Sequence, residues 1–221
     1  DVFVKFTYSK INCTFYILDL SFTMSEFNTE TGDVMINNVL PIGHTHYNDY
    51  NDYIYVVTDT HYEIFNPVDG SLLTPIPVGA VPGAGFPAHT AITKGGKIIT
   101  LFSDRFKILD TSNANTITSV NLTLVYNSIK VFGDKFLLIS DNLISFYDDN
   151  GVLIWDAAIN TTNIGGVDTN MTYDTSSNQI ITIQNQYPVS NIVTIDIIDG
   201  HITIIPTGVK MGERVKYIEE L

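Results

Sequence analysis

Three histidines, His44, His46 and His89, have the residue type and spacing best suited to chemistry in this sequence. His44 and His46 are two residues apart, so on a β-strand both imidazoles point to the same side. His89 takes the place of His44 when the sequence is aligned with itself. Because imidazole binds metals and transfers protons near neutral pH, this spacing indicates a candidate binding site. Tyr126 falls at the same aligned position and is its fourth member.

The same four residues also suit a purely structural role, as polar side chains that pack a solvated entrance. No Asp or Glu occupies the aligned position in another copy of the repeat, where it could complete a set of metal ligands. No catalytic Ser, Cys or paired Glu motif is present either. We therefore expect no bound metal and no cofactor, and we assign no catalytic residue.

The stretch "HYNDYNDY" (46–53) concentrates tyrosine, asparagine and aspartate. Tyr47 and Tyr50 are candidate contact residues, because tyrosine offers a large apolar ring with a polar tip. Asp49 and Asp52 carry the oxygen ligands that Ca²⁺ prefers, but their spacing does not match a calcium-binding loop. A solvated hairpin turn is the better interpretation of this stretch.

The segment "PIPVGAVPGAGFPAH" (75–89) has four prolines and three glycines, a composition typical of an irregular connection. Irregular loops on a rigid scaffold often carry binding residues. The segment also contains the apolar residues Val78, Val81 and Phe86. We predict that it contacts a partner, with Phe86 as the candidate residue.

Both candidate regions belong to a repeat that runs through the chain. Each copy has a short strand, a polar turn and a more apolar strand, followed by a third strand, a turn and a fourth strand. Glycine closes that last turn in all copies but one, where Asn115 replaces it. The sixteen-residue first halves lie at 4–19, 44–59, 89–104, 126–141 and 170–185. Four antiparallel strands per ~40 residues predict an all-β fold, a β-propeller of about five four-stranded blades.

The clearest second half is "DNLISFYDDNGVLIWD" (141–156), and "DTHYEIFNPVDGSLLT" (59–74) is the next clearest. These stretches resemble the PQQ-like, quinoprotein-type propeller repeat, in which a glycine-closed turn precedes a strand that ends near tryptophan. Only Trp155 matches that tryptophan, so the resemblance implies a cofactor-free scaffold or binding module. We expect Trp155 to pack between blades, and Asp148 and Asp149 to shape a turn.

The repeat predicts a single domain over residues 1–221. Its blades are expected at about 4–40, 44–80, 89–124, 126–162 and 170–208, with a tail at 209–221. The tail either closes the ring or forms an accessory segment; a short helix and the start of a sixth blade are the alternatives. If the first strand of each blade is innermost, Val4, His44, His89, Tyr126 and Asn170 surround one mouth of a central channel.

The net charge is −13, with only 11 Lys and Arg residues, which makes binding to nucleic acid or to an anionic membrane unfavourable. No apolar run reaches the ~18 residues of a membrane span, and the first residues lack a signal-peptide pattern. Cys13 is the only cysteine, so no disulfide forms within the chain. Charged residues are only 16%, against about 25% in typical domains. This composition favours an extracellular setting, or a virion or cell surface.

These features predict a non-catalytic interaction module that binds a protein or a carbohydrate, with oligomers formed through blade edges or chain ends. One alternative is a structural subunit of a virion or an extracellular filament. The other is a glycan-active hydrolase or lyase with its site at the channel mouth. Whether the chain is an enzyme stays open at this point, with the non-catalytic interpretation favoured.

Overall fold

The computed structural model describes residues 5–9, 14–18, 23–28, 30–39, 44–48, 50–66, 68–69, 71–78, 89–140, 142–158, 171–186 and 189–208. Within these ranges the regular elements are all β-strands. The first sheet contains β1 (Lys5–Ser9), β2 (Thr14–Leu18), β3 (Thr23–Asn28) and β4 (Val34–Val39). The second contains β5 (His44–Asn48), β6 (Tyr53–Val57), β7 (His61–Phe65) and β8 (Ile76–Pro77).

The three remaining sheets follow in chain order. The third contains β9 (His89–Ile92), β10 (Ile98–Leu101), β11 (Arg105–Asp110) and β12 (Thr116–Asn121). The fourth contains β13 (Ser128–Phe132), β14 (Lys135–Ile139), β15 (Leu143–Asp148) and β16 (Leu153–Ala158). The fifth contains β17 (Met171–Asp174), β18 (Gln179–Gln186), β19 (Val189–Asp196) and β20 (Ile202–Pro206).

In every sheet the strands pair in chain order, so each sheet is an antiparallel meander of four strands. This arrangement confirms the predicted repeat of about five four-stranded units. The turns also follow the sequence pattern: Gly133 and Asn178 adopt positive φ angles of 62° and 55°. Asn115, which replaces the closing glycine of the third unit, has φ of 56°, as its tolerance of that region predicts.

The second strand of each unit is the most deeply buried wherever side chains are described. All four residues of β10 are fully buried, and so are Phe136, Leu137, Leu138 and Ile139 of β14. Because successive side chains of a strand point to opposite faces, both faces of these sheets must be covered. A lone four-stranded sheet cannot provide that cover, which is why the unit is repeated.

The chain divides into two compact units, which are described separately. The first contains residues Asp1–Phe102 and Leu109–Ile117, and the second contains Ser103–Ile108 and Thr118–Leu221. The first unit has an apolar cluster formed by eight residues: Tyr55, Val57, Tyr62, Ile64, Val78, Ile98, Phe102 and Leu109. The larger cluster of the second unit joins the fourth and fifth sheets through residues that include Phe146, Trp155, Ile180 and Ile195.

Trp155 of β16 lies between the fourth and fifth sheets. Its ring stacks on Phe146 with centroids 5.0 Å apart, and its Nε1–H donates to the carbonyl oxygen of Ile197 at 2.9 Å. A Cβ built at Gly200 would lie 2.7 Å from Cε3 of Trp155. The prediction that Trp155 packs between neighbouring units is therefore confirmed, and Gly200 is the residue that makes room for it.

We predict that Gly200→Ala lowers the free energy of unfolding by about 3 kcal/mol, because a methyl group meets the indole and alanine disfavours φ of +75°. Gly133→Ala is the matched control, since it has φ of +62° and nothing within 4 Å of the added Cβ. It should cost only about 1 kcal/mol. Urea unfolding measures both losses. Equal losses of unfolding free energy in the two variants would mean that the close contact between Gly200 and Trp155 does not determine how the indole packs.

A buried tyrosine hydroxyl joins the second and third sheets. Tyr62 of β7 is fully buried, and its hydroxyl is 3.0 Å from Oγ1 of the buried Thr100 on β10. Burial raises the pKa of Tyr62 to about 12, and the hydrogen bond with Thr100 offsets only part of that effect. The phenol therefore stays neutral well above the pH at which an exposed tyrosine ionises.

We predict that this group makes stability fall in alkaline solution. The stabilisation from Tyr62 is fully present below pH ~10, the ordinary tyrosine pKa, and is lost as the pH rises toward about 12. Tyr62→Phe should remove this dependence. Urea unfolding of both proteins at a series of pH values measures the difference. Parallel curves for the two proteins between pH 9 and 12 would contradict the prediction.

Candidate binding surface

The predicted histidines lie at the start of the first strands. His44 pairs with Val57, the last residue of β6, and His89 pairs with Leu101, the last residue of β10. The two histidines therefore hold equivalent positions in their sheets. The Nε2 atom of His46 hydrogen-bonds with Oγ1 of Thr90, which brings β5 and β9 together.

The strand alternation separates His89 from the other two histidines. His46 contacts Thr90, so the face of β9 that meets β5 is the face of Thr90. His89 is the next residue and points to the opposite face, whereas His44 and His46 share a face of β5. Within the described part of the chain, no group of three His, Cys, Asp or Glu residues could hold a metal ion. His44 and His89 thus hold equivalent positions in their sheets, but the described residues do not form a metal-binding cluster.

Tyr126 lies two residues before β13. The sequence alignment makes Tyr126 equivalent to His44, but in the strand pairing another residue of the fourth sheet holds that position. Ser128, not Tyr126, pairs with Ile139, the last residue of β14. The difference arises because the first hairpin turn has two residues in the fourth sheet, against four in the second. The Tyr126 side chain is buried, and its hydroxyl is 2.7 Å from Oγ of the buried Ser145.

The tyrosine-rich stretch forms the hairpin turn between β5 and β6. Tyr47 is partly buried and packs on Ile54, Val56 and Phe65, whereas Tyr50 is 58% exposed at the turn. Asn48 holds this turn: its Oδ1 accepts from the Tyr50 N–H, and its Nδ2–H donates to the Gly96 carbonyl and to Thr111. Only Tyr50 therefore offers an exposed ring here. Phe86 lies outside the described residues.

The carboxyl groups of Asp174 and Asp69 have lowered pKa values and form hydrogen bonds within turns. Hydrogen bonds from the hydroxyls of Ser176 and Ser177 lower the pKa of Asp174 to about 2. Hydrogen bonds with Ser71 lower the pKa of Asp69 in the same way. Asp148 accepts from the backbone N–H groups of Asn150 and Val152, so it shapes the turn as predicted. A general acid needs the opposite direction of pKa shift, so Asp174 and Asp69 are unsuited to that role.

The structure also contains a cleft that the sequence patterns did not single out. It has a volume of about 200 Å³ and is lined by Leu124, Val125, Ser140, Asn142 and Leu143. Leu124 and Val125 belong to the connection between β12 and β13 and are 48% and 62% exposed. The only sequence signal for the cleft is the pair of adjacent apolar residues in the connection "NLTLVYN".

Three of the lining residues, Ser140, Asn142 and Leu143, lie where β14 ends and β15 begins. Oγ of Ser140 donates to the Leu143 carbonyl and accepts from the Leu143 N–H, both at 3.0 Å. The backbone N–H of Ser140 also donates to that carbonyl at 2.9 Å. The second sheet has the same pattern, with Thr58 and His61 in the corresponding turn. Two exposed aliphatic side chains beside the exposed amide of Asn142 can hold an apolar group and orient it by hydrogen bonds.

Solved structures that share this fold include two lyases and a dehydrogenase. A streptogramin B lyase matches with a TM-score of 0.61 and 15% identity, over 92% of this chain and 69% of its own. The dihydro-heme d1 dehydrogenase NirN, in complex with DHE, matches with a TM-score of 0.67 and 11% identity, over 93% of this chain and 48% of its own. Selenomethionine-substituted virginiamycin B lyase from Staphylococcus aureus matches with a TM-score of 0.61 and 13% identity, over 90% of this chain and 68% of its own.

These neighbours are β-propellers, and the present chain is an all-β protein with the β-propeller fold. At such low identities the likeness establishes the fold alone. The chain spans about half the length of NirN. No protein-family model and no curated protein matches the sequence. In the part of the chain that is described, no helix is long and apolar enough to cross a membrane.

We predict that Tyr126 is structural. Tyr126→Phe should lower the free energy of unfolding by about 1.5 kcal/mol, because Ser145 is buried and loses its hydrogen-bond partner. Tyr173→Phe is the control: its hydroxyl bonds to Asn178 in an exposed position, so the loss should stay within about 0.5 kcal/mol. Thermal unfolding of the three proteins measures both changes. If Tyr126→Phe leaves stability unchanged, the residue is free for another role.

Proposed function

We propose that this chain is a non-catalytic β-propeller module that binds a segment of a partner protein at the cleft beside Val125. The observation that carries the proposal is the exposed pair Leu124 and Val125 next to the fixed turn at Ser140. A volume of about 200 Å³ accepts one aliphatic side chain rather than a drug-sized ligand. The exposed side-chain amide of Asn142 suits the backbone of a bound peptide.

Two of the structural neighbours are lyases by name, and a lyase or hydrolase acting on glycans stays the alternative from the enzyme class. A glycan is the alternative ligand for the same cleft, since its hydroxyl groups also suit the exposed amide of Asn142. The proposal places the module on a cell or particle surface, an assignment supported by the low fraction of charged residues.

The proposal also keeps the PQQ-like repeat as a scaffold without a cofactor. Trp155 supports that assignment, because it docks onto the next sheet through the Ile197 carbonyl, as the repeat implies. A single tryptophan serves this purpose in the whole chain. The other units use different contacts, such as the Asn48 amide at Gly96.

The test uses a phage-displayed peptide library and a glycan array, each probed with the purified chain. We expect selected peptides that share one aliphatic residue, and we expect Val125→Asp to weaken the best of them at least tenfold. A carboxylate placed against an apolar side chain removes the gain from burial and adds a desolvation cost. Calorimetric titration measures the dissociation constants.

Val152→Asp is the matched control, because Val152 is 60% exposed in the turn between β15 and β16, away from the cleft residues. Its effect on binding should stay within twofold. Peptides that ignore Val125→Asp would refute the cleft as the site. Binding seen only on the glycan array, and lost in Val125→Asp, would keep the site but replace the protein ligand with a carbohydrate.

A further inference from the structure

The outer strand of the fifth sheet is β20, which has five residues. It is last in the order β17-β18-β19-β20, and within the described residues no strand pairs with its outer side. Its sequence, ITIIP, contains no charge. Ile204 and Ile205 are 52% and 47% exposed, so apolar side chains face solvent on both faces of the strand.

Three other outer strands have features that discourage edge pairing. The register of β4 shifts opposite Glu26 and Phe27, and that of β16 shifts opposite Phe146 and Tyr147. Such bulges twist an edge away from a partner. The strand β8 has only two residues. The register of β20 with β19 is regular throughout, so β20 keeps a flat, uncharged edge of the kind that accepts another strand.

The pairing of β20 with β19 fixes which backbone groups face outward. Asp196 N–H donates to His201 C=O, and Thr207 N–H donates to Ser190 C=O. In an antiparallel pair, hydrogen-bonded residues alternate with residues whose N–H and C=O point away. The backbone groups of Thr203 and Ile205 therefore face β19, and those of Ile202, Ile204 and Pro206 face outward. Pro206 lies where its missing N–H costs the sheet nothing.

We propose that β20 is a self-association edge that pairs with β20 of a second copy of this chain. In the antiparallel register centred on Ile204, the two Ile204 residues exchange two hydrogen bonds. Ile202 N–H of each copy donates to Pro206 C=O of the other. These four bonds use every outward N–H of the two strands, because the residue opposite each Ile202 is a proline that has no N–H to offer.

The occupant is a second copy because, in this register, every outward N–H of one β20 meets a carbonyl oxygen of the other, and the two Ile202 carbonyl oxygens alone lack a donor. A register centred on Pro206 would leave the two central residues without donors. The net charge of −13 on each copy opposes association, so the absence of charge on β20 matters because it adds no further repulsion between the paired strands. The pairing places the two Ile204 side chains opposite each other, and β-branched cross-strand pairs stabilise sheets.

The test is sedimentation equilibrium of the full chain from ~10 μM to ~1 mM, a range suited to the weak dimer that a five-residue strand supports. Ile204→Pro removes the central outward N–H without removing a hydrogen bond of the sheet. Ile204→Lys keeps that N–H and sets two positive charges opposite each other. We expect both changes to weaken the dimer at least tenfold.

Ile204→Val and Ile198→Asp are the controls. Valine keeps the N–H and the branched side chain, and Ile198 is 71% exposed in the turn before β20. Both proteins should dimerise within threefold of the original. A chain that stays monomeric up to ~1 mM overturns the proposal. A dimer that Ile204→Lys leaves intact also overturns it, and this second variant tests the pairing even if Ile204→Pro does not fold.

Discussion

For the sheets whose side chains are described, the burial of both faces is the constraint on which the structure depends. Strands such as β10 and β14 place fully buried side chains on both of their faces. Neighbouring sheets must therefore meet closely, and the hydrogen-bonding groups of their turns must find partners at the same time. Trp155 reaches the Ile197 carbonyl, and Asn48 reaches the Gly96 carbonyl. In both places a glycine with positive φ lies under the contact, because a Cβ would occupy the space of the neighbour.

Local patterns in the sequence were enough to predict the sheets. Strand alternation, turn residues and the repeated glycine are short-range features, so the five meanders and the positive φ of Asn115 followed from them. Trp155 was predictable as an inter-sheet residue from the resemblance to the PQQ-like repeat, in which a tryptophan follows a glycine-closed turn. The division of the chain into blades was predictable for the same reason, although the single-domain assignment stays a prediction.

Register in the first strands was harder to predict. An ungapped alignment assigned Tyr126 to the place of His44, but a hairpin shortened by two residues gives that place to Ser128. The sequence does not show this change, since both turns have ordinary turn residues. The burial of individual side chains was equally hard to predict. Tyr126 and Asn48 are polar enough to suggest a surface site, yet both are buried and hydrogen-bonded within the fold.

The exposure of apolar residues could not be predicted from the sequence either. Val125 and Ile204 read in the sequence as ordinary core residues, and only their exposure separates them from the buried valines and isoleucines nearby. In a chain with a net charge of −13 and few charged residues, contacts with other molecules must depend on short-range packing and hydrogen bonding rather than on charge. The two contacts that we propose would be of these two kinds, through side chains at the cleft beside Val125 and through the backbone at the edge of β20. Because these contacts use different atoms, a substitution at Val125 and one at Ile204 can separate ligand binding from self-association.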